Sequence, residues 1–455
     1  IIEILVEIKP KYPLLKINDF FTHPTVQALA HRIEELSQEE QNTERTDSGL
    51  IESNLQTEEV LAEYPERLQT TKKVLRRNQH TFLLTGATGY LGSHLLNELL
   101  QTASGTIYCL VRGEDVQSAT ERLYQNYSFY FGDKLSRQLH SRVRVMIGDL
   151  QEVRLGLGKE DWHELVQNID AIMHCGADVA HFGDSQHFYR VNVQSTETLL
   201  DLAREKQGIH FHYVSTIGIP EELSYAGKWH ALRNADQVDY SIVLDNHYIN
   251  SKWESEKLVM RAFEQEGIPV TIYRAGNLSS HSLSGAFQRN METNAMYRMC
   301  RAMFLLGVAP HADWLVDFTP IDFAGKAIAS LALQEEAVGA VFHIVNPEQI
   351  PYVELLKHFQ SFGYQLSLVS QQEYEQWLFD GTKKNREGME LAITQLEGDG
   401  ARNSNVRFAC PKTTALLQKL QITCPTPTKT YFQAMVRHAI ENGYFPMPTL
   451  AEPIC

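Results

Sequence analysis

Thr81-Phe82-Leu83-Leu84-Thr85-Gly86-Ala87-Thr88-Gly89-Tyr90-Leu91-Gly92-Ser93-His94-Leu95-Leu96 joins a short apolar run to a glycine-rich turn and then to a helical pattern. The run, with its β-branched start, predicts a buried strand. Glycines at 86, 89 and 92 suit a diphosphate. Gly86 permits a tight turn, Gly89 lets the backbone approach phosphate, and Gly92 lets the helix pack against the strand. The helix N-terminus, begun by Tyr90 and Leu91, adds free N–H groups and a positive dipole end. Gly86, Thr88, Gly89, Tyr90, Leu91 and Gly92 are therefore the expected cofactor contacts of this turn. Glycine spacing alone is weak evidence, and a ligand-free strand–helix turn reads the same way. The residues that follow decide between them.

After the first helix, Thr106 to Val111 predicts a second strand, with Arg112 at its end. An NAD-binding fold places Asp or Glu there for the ribose hydroxyl. An arginine suits a 2′-phosphate, so the expected cofactor is NADPH. Arg122, in a predicted helix, could close on the same phosphate and equally reads as an ordinary surface arginine. Arg142 to Ile147 predicts a third strand, followed by Gly148-Asp149-Leu150. There Asp149 and Leu150 could border the adenine, although Asp also caps such turns. Ile169 to His174 predicts a fourth strand ending in Cys175-Gly176-Ala177, where Gly176 and Ala177 let the backbone lie against a cofactor. Asn192 opens a helix over Val191 to Ala203. Ile209 to Val214 predicts a fifth strand, ending in Ser215-Thr216. Strands alternate with helices, which predicts an α/β fold with a doubly wound parallel sheet and ligands at the strands' carboxyl ends.

Tyr248-Ile249-Asn250-Ser251-Lys252 sets a phenol and an ammonium one helical turn apart, on one face. A free tyrosine titrates near ~10. A neighbouring ammonium favours the phenolate and lowers that value. Such a pair can give a proton to an oxygen that gains charge as hydride reaches its carbon. Alone, the spacing is common on solvated helix faces. After the glycine turn, Arg112 and the Ser215-Thr216 pair, it reads as chemistry.

Composition agrees. An apolar share of 43% with 21% charged residues is that of a globular protein, and a net charge of −15 argues against a nucleic-acid binder. The six cysteines have no metal or redox spacing and read as reduced, cytosolic and structural. No apolar stretch approaches the roughly 20 residues that span a membrane. The His and Trp residues show no ligand spacing, so no metal is expected.

The motifs TGATGYLG, LVR, GDL, HYVSTIG, YINSKWESEKLV and IYRAGNLSS resemble the extended short-chain dehydrogenase/reductase superfamily. Within it they resemble the thioester reductase domain that ends many nonribosomal peptide synthetases, and also carboxylic acid reductases. The resemblance covers Phe82 to Leu333 well. It implies that Thr216 hydrogen-bonds the substrate oxygen, that Tyr248 donates the proton, and that Lys252 binds the nicotinamide ribose and tunes Tyr248. It places Asn192 near the cofactor and Ala275, Gly276 and Asn277 beside the nicotinamide. The His-Cys-Gly-Ala of the fourth strand departs from a more typical pattern with asparagine before the alanine.

Toward the N-terminus, Ile17 to Ile33 (INDFFTHPTVQALAHRI) resembles the end of a peptidyl or acyl carrier domain. The serine that carries the phosphopantetheine arm in that family would precede this segment, and Ile1 starts inside a helical stripe (Ile1, Ile2, Ile4, Leu5, Ile8), so the chain reads as cut from a longer one. The expected organisation is a carrier fragment over 1–37, a linker over 38–78, and an NADPH-binding Rossmann-like domain over 79–275. A smaller, mostly helical substrate domain follows over 276–455, with 316–346 returning to the sheet. Leu36 to Asn54 reads as mobile, Glu221 to Val243 as a loop near the site, and Gly381 to Asn405 as polar and mobile. Ala295 to Val308 reads as a core or lid helix.

The implied activity is NADPH-dependent reductive release of an acyl or peptidyl thioester from the carrier domain of the same synthetase. The product is an aldehyde, or an alcohol after a second hydride. Alternatives are a carboxylic acid or acyl-CoA reductase, a nucleotide-sugar epimerase or dehydratase, and a non-reducing cyclising domain.

Overall fold

A computed structural model describes residues 17–43, 59–63, 68–76, 78–180, 184–233, 238–379, 385–397 and 406–448, together with Ile4, Ile8, Lys11, Tyr12 and Leu15. Its centre is a seven-stranded sheet of β1 (Phe82–Thr85), β2 (Ile107–Val111), β3 (Val143–Ile147), β4 (Ala171–His174), β5 (His210–Thr216), β6 (Val270–Ala275) and β7 (Ala340–Ile344). The order is β7-β6-β5-β4-β1-β2-β3, and every neighbouring pair is parallel. The order reverses between β1 and β4, which opens a crevice at their carboxyl ends. The central strands are buried because helices cover both faces. Leu83, Ile172, Phe211 and Ile272 enter one core. Phe82, Leu84, Met173 and Tyr273 enter the other, alternating with the pleat.

Six helices matter for the site: α1 (Tyr90–Thr102), α2 (Val116–Phe131), α3 (Ser195–Glu205), α4 (His247–Arg261), α5 (Ala295–Leu306) and α6 (Ile321–Ala332). A third core gathers Phe287, Tyr297, Met303, Phe359, Phe432 and Met435 from the C-terminal part. Tyr90 ties it to the sheet: its hydroxyl donates to the Ser279 carbonyl at 2.9 Å, and its ring meets Phe287 edge-on at 5.1 Å.

Several stretches expected to be mobile or loops contain ordered elements. The helix Val26–Thr43 runs on through residues 36–43, carried by strong helix formers behind the Leu29, Ile33 and Leu36 face. Residues 44–54, and Ile1, Ile2 and Leu5 of the N-terminal stripe, lie outside the described residues. Arg386–Glu397 is a helix because Met389, Ala392 and Ile393 recur at helical spacing, and all three are buried. Residues 381–384 and 398–405 lie outside the description. Gly218–Tyr225 and Trp229–Arg233 are helices in place of the expected loop, anchored by buried Ile219, Leu223 and Trp229.

The expected linker is partly built into the body. Glu59–Leu61 pairs in parallel with Val406–Phe408. Glu63 accepts hydrogen bonds from the backbone N–H of His343 (3.2 Å), Lys412 (2.7 Å) and Thr413 (3.0 Å). The carrier-like helices pack through Leu15, Phe20 and Leu36 into a cluster with Ala302, Tyr374, Leu378 and Ile393. No described helix is long and apolar enough to cross a membrane.

Candidate active site

The glycine turn has the geometry its sequence predicts. Gly86 has a φ of +75°, and a Cβ there would stand 2.7 Å from the Gly176 nitrogen. A Cβ on Gly92 would stand 1.9 Å from the Gly86 carbonyl oxygen, so Gly92 closes on the turn itself as well as allowing the helix its place. The N-cap of α1 is Gly89, which has no side chain to bond the first N–H groups of the helix. Those groups remain for an anion.

Around the turn lies a cleft of about 470 Å³. It is lined by Gly86, Thr88, Gly89, Arg112, Arg122, Asp149, Leu150, Gly176 and Ala177, nine of the expected contacts. Arg122 donates to the Arg112 carbonyl at 3.2 Å, so both guanidinium groups share one exposed end of the cleft. Asp149 lines the cleft and also caps its own turn, accepting from the Gln151 N–H at 3.0 Å. A dinucleotide fits these features: a turn too tight for a Cβ at Gly86 or Gly92, uncapped helical N–H groups, and two arginines in the cleft lining.

Other expected contacts stand elsewhere. The side chains of Tyr90 and Leu91 do not line the cleft. Tyr90 is committed to the C-terminal core and Leu91 is buried beside the sheet, so only their backbone faces the turn. Asn192 lies in a π-helical turn, Tyr189–Gln194, that precedes α3, and is 1% exposed. Its Oδ1 accepts from the Asp178 N–H at 2.8 Å. Its amide donates to the Asp178 carbonyl at 3.0 Å and to Ser251 Oγ at 2.8 Å. It braces the site from behind. Ala275 ends β6 and Gly276 and Asn277 follow it, outside the cleft lining. Buried Asp317 holds them, accepting from the Asn277 N–H at 2.8 Å, and a Cβ on Gly276 would stand 2.1 Å from its Oδ2.

Thr216, Tyr248 and Lys252 converge. Asn246 caps α4 by accepting from the Ile249 N–H at 3.0 Å, which sets Tyr248 in the first turn. Burial pushes the Tyr248 phenol up to about 12, and a hydrogen bond with Thr216 works against that rise. Lys252 is buried, and burial pushes its ammonium down to about 8. The Lys252 ammonium donates to the Val214 carbonyl at 2.7 Å and sits 4.3 Å from the Tyr213 ring centroid. The expectation that Lys252 lowers the Tyr248 value is thus not met in this geometry. The ammonium is turned to β5, and the hydroxyl of Thr216 is the group that favours the phenolate.

Three features were not anticipated. Thr85 accepts from the Gly176 N–H at 3.0 Å and bonds His174 Nδ1 at 2.8 Å, and His174 Nε2 meets Thr196 at 3.1 Å, so a buried chain fixes the floor of the cleft. Arg274 and Glu256 form a buried pair behind α4. Asp178 and His187, 2.7 Å apart, line the cleft. The short sequence separation of Asp178 and His187 was the one signal that could have revealed the last pair.

The chain is 31% identical over 434 residues to a linear gramicidin synthase protein of Brevibacillus parabrevis, covering 93% of this chain and 8% of that protein. It thus spans a small part of that relative. Among solved structures, a thiolation-reductase di-domain from an archaeal nonribosomal peptide synthetase superposes with a TM-score of 0.77 at 26% identity, covering 98% of this chain and 91% of that one. The terminal R domain from the myxalamid biosynthetic pathway superposes with a TM-score of 0.71 at 29% identity, covering 85% and 96%. These relatives agree with the reductase resemblance of the motifs. With the model described as male sterility protein, an NAD-binding type, matching residues 84–328, the chain belongs to that family and is an oxidoreductase that uses a nicotinamide cofactor.

Proposed function

We propose that this chain reduces an acyl or peptidyl thioester, presented on the phosphopantetheine arm of a carrier domain, with NADPH, and releases an aldehyde. The observation that carries the reading is the convergence of Thr216, Tyr248 and Lys252 beside a cleft that ends in Arg112 and Arg122. Bound NADPH supplies the hydride that reaches the carbonyl carbon. Thr216 and Tyr248 donate hydrogen bonds to the oxygen as it gains charge, which is the largest expected electrostatic contribution. Tyr248 then gives its proton to that oxygen. Lys252 holds positive charge beneath the site and binds the nicotinamide ribose. Arg112, with Arg122 against its carbonyl, pairs with the 2′-phosphate. A second hydride would carry the aldehyde to an alcohol. The carrier-like helices packed on the C-terminal cluster support delivery by a carrier of the same synthetase.

The test is NADPH oxidation with a simple acyl-pantetheine thioester, with product mass recorded. Aldehyde or alcohol in step with NADPH loss supports the proposal. Bound NADPH with no oxidation, even when the thioester sits on an intact carrier, favours a non-reducing, cyclising domain.

A further inference from the structure

Thioester reduction moves more than one proton. Tyr248 serves the oxygen, giving a proton as the tetrahedral thiohemiacetal forms and taking it back as the carbonyl is restored. The sulfur must also leave as a thiol, and neither Tyr248 nor Thr216 can serve both atoms at once. A second acid beside the cofactor would let the sulfur leave directly as a thiol.

We propose that His187, held by Asp178, delivers that proton to the departing sulfur of the pantetheine arm. The inference rests on the thioester reading above. His187 and Asp178 both line the cofactor cleft. The His187 Nε2 lies 2.7 Å from Asp178 Oδ2, and the side chains are 36% and 29% exposed, so the pair is reachable from the cleft and from solvent. With Nε2 engaged by the carboxylate, Nδ1 makes no hydrogen bond among the described residues and is the nitrogen that can give a proton. The pair is fixed relative to Tyr248. Asn192 grips Asp178 by both its N–H and its carbonyl, and the same side chain donates to Ser251. Ser251 in turn donates to the Tyr248 carbonyl at 2.7 Å. The Phe188 ring, next to His187, lies 6.4 Å from the Tyr248 ring. Asp178 is also near enough for its charge to raise the Tyr248 phenol. A carboxylate behind an imidazole orients it.

The step balances. The carbon–sulfur bond breaks and its electron pair goes to sulfur. The oxygen–hydrogen bond electrons form the carbonyl, and that proton returns to the Tyr248 phenolate. The imidazolium of His187 protonates sulfur, and solvent reloads it. The sum is thioester plus NADPH plus one proton, giving aldehyde, thiol and NADP⁺.

The test compares two thioesters of the same acyl group, one of pantetheine and one of thiophenol, whose thiolate leaves without an acid. His187→Gln should slow the pantetheine ester roughly tenfold or more, within the range of general acid catalysis, and the thiophenyl ester by less than about threefold. Asp178→Asn should follow the same pattern more weakly, with NADPH affinity measured alongside by fluorescence titration. Equal losses on both esters, no loss on either, or a loss explained wholly by NADPH affinity would overturn the role. The retained thiophenyl rate shows that the variant is folded. Wild-type protein that oxidises NADPH with neither ester would instead overturn the thioester reading itself.

Discussion

Arg274 on β6 and Glu256 on α4 form a two-pronged ion pair, Nε to Oε1 at 3.0 Å and Nη2 to Oε2 at 2.7 Å, with side chains only 1% and 0% exposed. Glu256 lies one turn beyond Lys252, so the pair anchors the helix that carries Tyr248 and Lys252 to the sheet. Removing one partner takes this ion pair away from the other's buried charge. Arg274→Met or Glu256→Leu should each cost about 3–5 kcal/mol, whereas the double replacement should recover most of the loss. Chemical denaturation of the three variants checks this.

The glycine turn predicts an order of damage. A Cβ on Gly92 meets the Gly86 carbonyl at 1.9 Å, whereas one on Gly89 meets the same oxygen at 3.2 Å. Gly92→Ala must displace the turn and should abolish cofactor binding. Gly89→Ala should fold normally and bind the dinucleotide more weakly. Thermal unfolding with NADPH titration separates the two, and equal behaviour would contradict the close approach.

Lys252 titrates near 8 because burial opposes its charge. If its positive charge holds the cofactor, kcat/KM falls as pH rises past about 8. Stability moves the other way. Above about 8 the folded state has shed a proton that the unfolded state keeps until about 10.4, so folding gains stability across that window, and the cost of the buried charge is full below it. Wild type should therefore gain stability relative to Lys252→Met between about pH 8 and 10. A constant difference would show that Lys252 titrates normally.

Arg112 and Arg122 should govern the choice of cofactor. Losing a charge-assisted contact to a phosphate costs about 1.5–3 kcal/mol, so Arg112→Ser should raise the KM for NADPH by roughly tenfold to a hundredfold. The KM for NADH should stay within about twofold. Arg122→Ser should have the smaller effect of the two. Steady-state kinetics with both cofactors tests this.

Most of the strands were legible as short, largely apolar runs closed by glycine or polar residues, because buried parallel strands need no alternation, whereas Val270–Ala275 was not read as a strand. Tyr248 and Lys252 were legible because they share one helix. The stretches misread as mobile or as loops hide their apolar residues among polar ones: in Arg386–Glu397, Met389, Ala392 and Ile393 mark the buried face. Arg274 and Glu256 were not legible as site residues, and Asp178 and His187 only faintly so. Their roles depend on β6, α4 and the residues after β4 meeting in space, which local spacing does not report. The direction of the Lys252 ammonium is likewise a tertiary fact, set by the Val214 carbonyl and the Tyr213 ring.

The most direct measurement uses NADPH deuterated at the transferred position of the nicotinamide, with an acyl-pantetheine thioester, comparing wild type with Tyr248→Phe. The account predicts one deuterium on the aldehyde carbon and one thiol freed per NADPH consumed, with the rate reduced at least about a hundredfold in Tyr248→Phe. Release of a free acid or a cyclic product without deuterium, or a Tyr248→Phe variant at full rate, would contradict it.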